Sequence, residues 1–248
     1  MTAATLTVAE AAVRIVASPA PVLFPDTCAL VDLVRLPLRK EGQEVTRELV
    51  AAGDLLSRAS AAAAGVWVVV PPLVPAEWEE HAEREREALA SSWVDLDAQS
   101  AATHAAAEAF GLESPLPSMV TLFEGTERRL WERSRALLNA GIRLSIDTQS
   151  ENRGVKRAYG KVAPGHRGSG VKDCVIAEHA ISVARLLGPS FGPPRVLLTS
   201  NVADFCVSKG DKAPRPPLDA DFSEVGIALT TTWQWARAAL LSQRSDGE

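Results

Sequence analysis

The sequence predicts an α/β protein: a three-layer α/β/α fold with a central parallel sheet and an inserted helical segment. Two observations predict it. Short unbroken apolar runs, VLF at 22–24, VWVVV at 66–70 and RVLLT at 195–199, are separated by segments of helical periodicity. Strands buried on both faces read this way, without alternation. A helix-then-strand order also recurs. Val45, Leu49, Leu55 and Leu56 mark a helical stripe over 43–63 that Gly65 closes before VWVVV. Val175, Ile176, Ala180, Val183, Leu186 and Leu187 mark another, ended by Gly188 and Pro189 before RVLLT.

Taken in order, MTAATLTVAEAAVRIVAS has no basic leader, and Glu10 and Arg14 interrupt its apolar residues. It predicts a short amphipathic helix rather than a signal peptide, and a cytoplasmic protein. The run at 61–76 is broken by Gly65, Pro71 and Pro72 and is too short to span a bilayer, so no membrane segment is expected. Residues 78–140 read mainly as helices whose charges, such as Glu124 with Arg128 and Arg129 with Arg133, form a solvated face. EWEEHAEREREALA is expected to be exposed for the same reason. No linker separates this part from the rest, so the helical insertion, about 82–140, belongs to a single domain over 1–248. EVGIAL at 224–229 is the expected fourth strand.

A formal net charge of −5 excludes a generally basic surface, so any nucleic-acid contact must come from a local patch. One stretch qualifies. Between 151 and 172 lie Arg153, Lys156, Arg157, Lys161, Arg167 and Lys172, with no acid from Arg153 onward. The glycines at 154, 160, 165, 168 and 170 predict a loop there, able to bring backbone close to a phosphate chain. The three cysteines, Cys28, Cys174 and Cys206, have no CxxC spacing and fit a reducing compartment. Each follows an aspartate by one or two residues, which gives the three segments similar surroundings; small buried thiols are preferred to metal thiolates.

Acids stand where a parallel sheet gathers ligands, at the carboxyl ends of strands. Asp26 follows VLF, Glu77 follows VWVVV across PPLVPA, and Asp204 follows RVLLT in TSNVADF; Asp173 opens the helix before RVLLT. Clustered carboxylates repel, and a divalent cation relieves the repulsion. All-oxygen ligands favour Mg²⁺ or Mn²⁺ over zinc, and such ions suit phosphodiester hydrolysis. Helix capping is the competing reading for Asp26 and Asp173.

In order and spacing, DTCALVDL, PPLVPAEW, GVKDCVIAEHA and TSNVADF resemble the four motifs of the PIN-domain (PilT N-terminal) ribonucleases, and the basic stretch resembles the larger PIN-like subgroup. The resemblance implies metal-site roles for Asp26, Glu77, Asp173 and Asp204, with Thr27, Ser200 and Asn201 as supporting polar groups; Glu178, five residues after Asp173 and so about 140° round the helix, ranks below them as an auxiliary candidate. It implies a Mg²⁺- or Mn²⁺-dependent endoribonuclease, toxin-like or RNA-processing, acting on an RNA substrate. An antitoxin protein and a second copy of the chain are partners this reading leaves open. Asn201 departs from the pattern, since many members carry an aspartate there, and so sustains an alternative: a catalytically weak RNA-binding or scaffold module. Other signals are weaker. GHRGSGVKD lacks the lysine placement of a P-loop, FPDTC lacks the second acid of a haloacid-dehalogenase-type phosphatase, and Glu77 with His81 lacks the HExxH order of a zinc protease.

Overall fold

The computed structural model describes residues 5–39, 42–60, 65–111, 125–167 and 170–242. Six strands form one parallel sheet: β1 Thr5–Leu6, β2 Val22–Pro25, β3 Trp67–Val70, β4 Ile142–Leu144, β5 Arg195–Leu198 and β6 Ile227–Thr230, in the order β1-β4-β3-β2-β5-β6. The helices are α1 Val8–Ala17, α2 Thr27–Arg39, α3 Gly42–Ala59, α4 Val74–Ala109, α5 Thr126–Ala140, α6 Thr148–Tyr159, α7 Val171–Leu187, the short α8 Val202–Phe205, α9 Leu218–Val225 and α10 Trp233–Leu241.

Side-chain alternation along the strands divides the core in two. Val22, Phe24, Val69 and Leu197 pack with Ala11 and Ile15 of α1, Ala180 and Val183 of α7, and Phe222 of α9. Leu23, Val68, Val70, Val196 and Leu198 pack on the opposite face with Leu30 and Val34 of α2, Leu55 of α3, Trp78 of α4, Leu137 of α5 and Trp233 of α10. Helices thus cover both faces, giving three layers. β2 pairs with β3 on one side and β5 on the other. That fork is the switch point where open α/β sheets gather ligands.

The expected strands are present, although Glu224 and Val225 end α9 and β6 begins only at Ile227. EWEEHAEREREALA is only partly exposed, because Trp78, Ala82 and Leu89 turn inward from α4. The loop expected over 151–172 is corrected: α6 runs to Tyr159 and a 3-10 turn covers Gly165–Arg167. Gly154 sits in α6 for a packing reason, since a Cβ there would meet the Val175 Cα of α7 at 2.8 Å. Residues 61–63 of the expected helix, 112–124 of the insertion and 168–169 of the expected loop lie outside the described residues. Among the described residues, no helix is long and apolar enough to cross a membrane.

Candidate functional site

Asp26 leaves β2 where its backbone N–H still bonds Leu198 O at 2.8 Å, so the sheet ladder aims its side chain at the rim. The carboxylate is buried and held by three donors. Thr27 N–H reaches Oδ1 at 2.6 Å, while the Thr199 hydroxyl at 2.6 Å and the Cys28 thiol at 2.8 Å reach Oδ2. Burial pushes the Asp26 carboxyl above its ordinary range, against those donors. Burial and the Asp26 charge likewise push the Cys28 thiol well up, so it stays protonated and donates. Cys174 and Cys206 are the small buried thiols expected, whereas Cys28 is half-buried and serves as a donor to Asp26.

Glu77 stands in the first turn of α4. Its Oε2 accepts from the Thr27 hydroxyl at 2.7 Å, and its Oε1 pairs with Lys172 Nζ at 2.9 Å. Asp173, in the first turn of α7, and Asp204, in α8, are bridged by one side chain: Asn201 Nδ2 donates to Asp173 Oδ2 at 3.0 Å and to Asp204 Oδ2 at 2.9 Å. An aspartate at 201 could not donate to either. Asp204 Oδ1 is buried without a hydrogen bond, and Arg167 Nε lies 3.5 Å from it. Burial first, then the charges of Asp26, Asp204 and Glu77, push the Asp173 carboxyl up to about 8. The four acids therefore form one electrostatic cluster, in which Asp173 holds its proton near neutrality.

A cavity of about 250 Å³ opens beside Asp26, Thr27, Glu77 and Asp173. Ser200 lies elsewhere, on a separate small cavity with Glu48 and Trp233. Glu178 turns away from the acids. Its carboxylate, buried between α6 and α7, accepts from Arg153 Nε at 2.9 Å and from Arg157 Nη2 at 2.7 Å, and Arg157 also pairs with Asp221 at 2.7 Å. Arg153 and Arg157 thus point into the protein, whereas Lys156 and Lys161 are exposed. Of the basic residues singled out from the sequence, only Arg167 and Lys172 meet the acid cluster.

The donor set of carboxylates, hydroxyls and an amide suits a hard cation, and Asp204 Oδ1 is buried without a hydrogen bond, faced only by the Arg167 guanidinium among the described residues. In placement, the acids are partly occupied by protein donors. Among the described residues, no three His, Cys, Asp or Glu side chains are arranged to hold one ion together. Binding would require Lys172, Arg167 and the Asp173 proton to give way. Sequence reasoning missed Thr199 and the inward-facing cations. The parallel register Pro25↔Leu198 carries the signal for Thr199, because it sets Asp26 against the residue after Leu198. No local pattern links Lys172 to Glu77, which lie far apart in the chain. Comparison of the chain with protein-family models, curated proteins and solved structures finds no match.

Proposed function

We propose that this chain is a Mg²⁺- or Mn²⁺-dependent endoribonuclease of the PIN-like kind, with Asp26, Glu77, Asp173 and Asp204 as its metal and catalytic residues. One observation carries the reading: four carboxylates from four elements meet at the switch point of a parallel sheet, where burial first and the charges of the other three next hold a proton on Asp173 near neutrality. Like charges are rarely gathered for stability alone. The order of the four acidic motifs supports the same reading by resemblance.

When bound, a divalent cation supplies charge neutralisation at the phosphodiester and an activated water. The chain's own residues do the rest. Thr27, Thr199 and the Cys28 thiol fix the positions of Asp26 and Glu77 through hydrogen bonds, and Glu77 Oε1 would exchange Lys172 for a ligand. Asn201 holds Asp173 and Asp204 at one spacing. Lys172 and Arg167, both exposed, can exchange a carboxylate for a substrate phosphate.

A second reading is favoured by the same cations and by Asn201: an RNA-binding module whose acids are already neutralised and which cuts nothing. Cleavage of single-stranded RNA in Mn²⁺, in EDTA and with Asp26→Asn separates the two. The expected result is cleavage only by the wild type in Mn²⁺, with Asp26→Asn slower by a factor on the order of 10³. Equal background in all three leaves the binding module.

A further inference from the structure

The cavity beside the acids continues along the seam between α2 and α4 to a wall of opposite charge. Cys28, Val31 and Arg35 line it from α2, and Glu77, His81 and Arg84 line it from α4. Both sets recur at three- and four-residue spacings, so each helix presents one face to a straight cleft. From Cys28 to Arg35 the cleft climbs about 10 Å, at the helical rise per residue. Asp26, Glu77 and Asp173 stand at one end, and Arg35 and Arg84 stand at the other with Glu85, which also lines the cavity and pairs with both.

The guanidinium end carries surplus positive charge. Arg35 is largely buried and bonded to Asp32, and it meets Glu85 at 3.3 Å. Arg39 reaches the same Asp32 at 3.4 Å, and Arg84 lies 3.9 Å from Glu85. Arg35, Arg39 and Arg84 thus share the Asp32 and Glu85 carboxylates, one fewer than their own number. Arg84 is the least committed: its side chain is 69% exposed, and its Nη2 lies 3.4 Å from His81 Nδ1.

The geometry points to the α2–α4 cleft as the track of a single nucleic-acid strand, with Arg84 binding a phosphate neighbouring the one at the acids, a placement that rests on the nuclease reading of those acids. Lys172 and Arg167 stand at the acids themselves, and a chain that continues past them along the cavity needs a further cation for its next phosphates. Arg84 meets that need. The walls are adjoining packed helices, whose axes run about 8–10 Å apart. A single strand can lie along the open rim of the cavity, whereas a duplex is too broad to enter a volume of about 250 Å³.

Binding of a short single-stranded RNA to the Asp26→Asn protein in Mn²⁺, over a range of salt, tests this without cleavage. Arg84→Ala should raise the dissociation constant on the order of five- to tenfold and flatten the salt slope by about 0.7. Arg84→Lys should keep the slope and Arg84→Glu should weaken binding further, while the same sequence as a duplex binds less tightly. Unchanged affinity and slope in both Arg84→Ala and Arg84→Glu, or no RNA binding at all, overturns the proposal. Arg84-dependent binding by a wild type that cuts nothing in Mn²⁺ would leave the track standing and remove the nuclease reading.

Discussion

Two charged regions flank α7, and they solve the cost of charge differently. On the side toward α6, Glu178 is matched by Arg153 and Arg157, Arg157 by Asp221, and Arg153 Nη2 also donates to the Ser182 hydroxyl at 2.6 Å. Opposite charges from separate helices meet there, and the groups are hydrogen bonded. At the first turn of α7, Asp173 faces Asp26, Glu77 and Asp204, and among the described residues the cluster is met by neutral donors, Asn201, Thr27, Thr199 and Cys28, and by two exposed cations. The first arrangement is closed and serves the fold. The second is open, since its charges are better satisfied by something that arrives.

The largest way to break that contrast is to open the closed region. Glu178→Ala would strand Arg157, whose side chain is only 10% exposed, without its main carboxylate. Removing one partner of a buried pair costs about 3–5 kcal/mol. Urea denaturation should show that loss, with Glu178→Gln falling between. A loss below about 1 kcal/mol would mean Asp221 alone carries Arg157 and the network is not the lock between α6 and α7.

The open region should respond with the opposite sign. Burial and like charge raise the folded Asp173 carboxyl from 3.8 to about 8, so across that window the folded chain binds the proton and the unfolded chain does not. Its stabilising contribution is complete below pH 3.8 and is lost as pH rises through about 8. In EDTA, each pH unit within the window costs up to about 1.4 kcal/mol from this group. Asp173→Asn should remove that slope and melt no lower than wild type at pH 8 in EDTA, while gaining less from added Mn²⁺. A lower melting temperature with the slope intact would make Asp173 a structural cap and remove it from the cluster.

How far these regions were legible in the sequence follows from the range of each interaction. The β2, β3 and β5 runs announce themselves because strands buried on both faces need no alternation. β1 and β4 did not, being two and three residues long, with Arg143 set within β4. Glycines misled at α6: Gly154 provides close helix packing against Val175 rather than a loop, and of the basic residues read there as a nucleic-acid patch, Arg153 and Arg157 pair with Glu178. The acids of the rim could be read because each stands directly after a strand or opens a helix. Their pairing with Arg167 and Lys172, and the reach of Asn201 to Asp173, could not, because those contacts form through tertiary approach.

The smallest expected effect sharpens the comparison most economically. Lys156 and Lys161 share the basic stretch with Arg153 and Arg157 but point to solvent, with no ion pair among the described residues. If the inward arginines are what the stretch is for, the two lysines are ordinary surface charge, and exposed charge away from buried networks contributes little. Lys156→Ala with Lys161→Ala should therefore shift unfolding by less than about 0.5 kcal/mol. The double variant should also leave the salt slope of RNA binding within about 0.3 of wild type, against the larger change expected at Arg84. A slope flattened by about 0.7 for each lysine removed would place the strand over α6. The α2–α4 cleft would then be, at most, one end of its path.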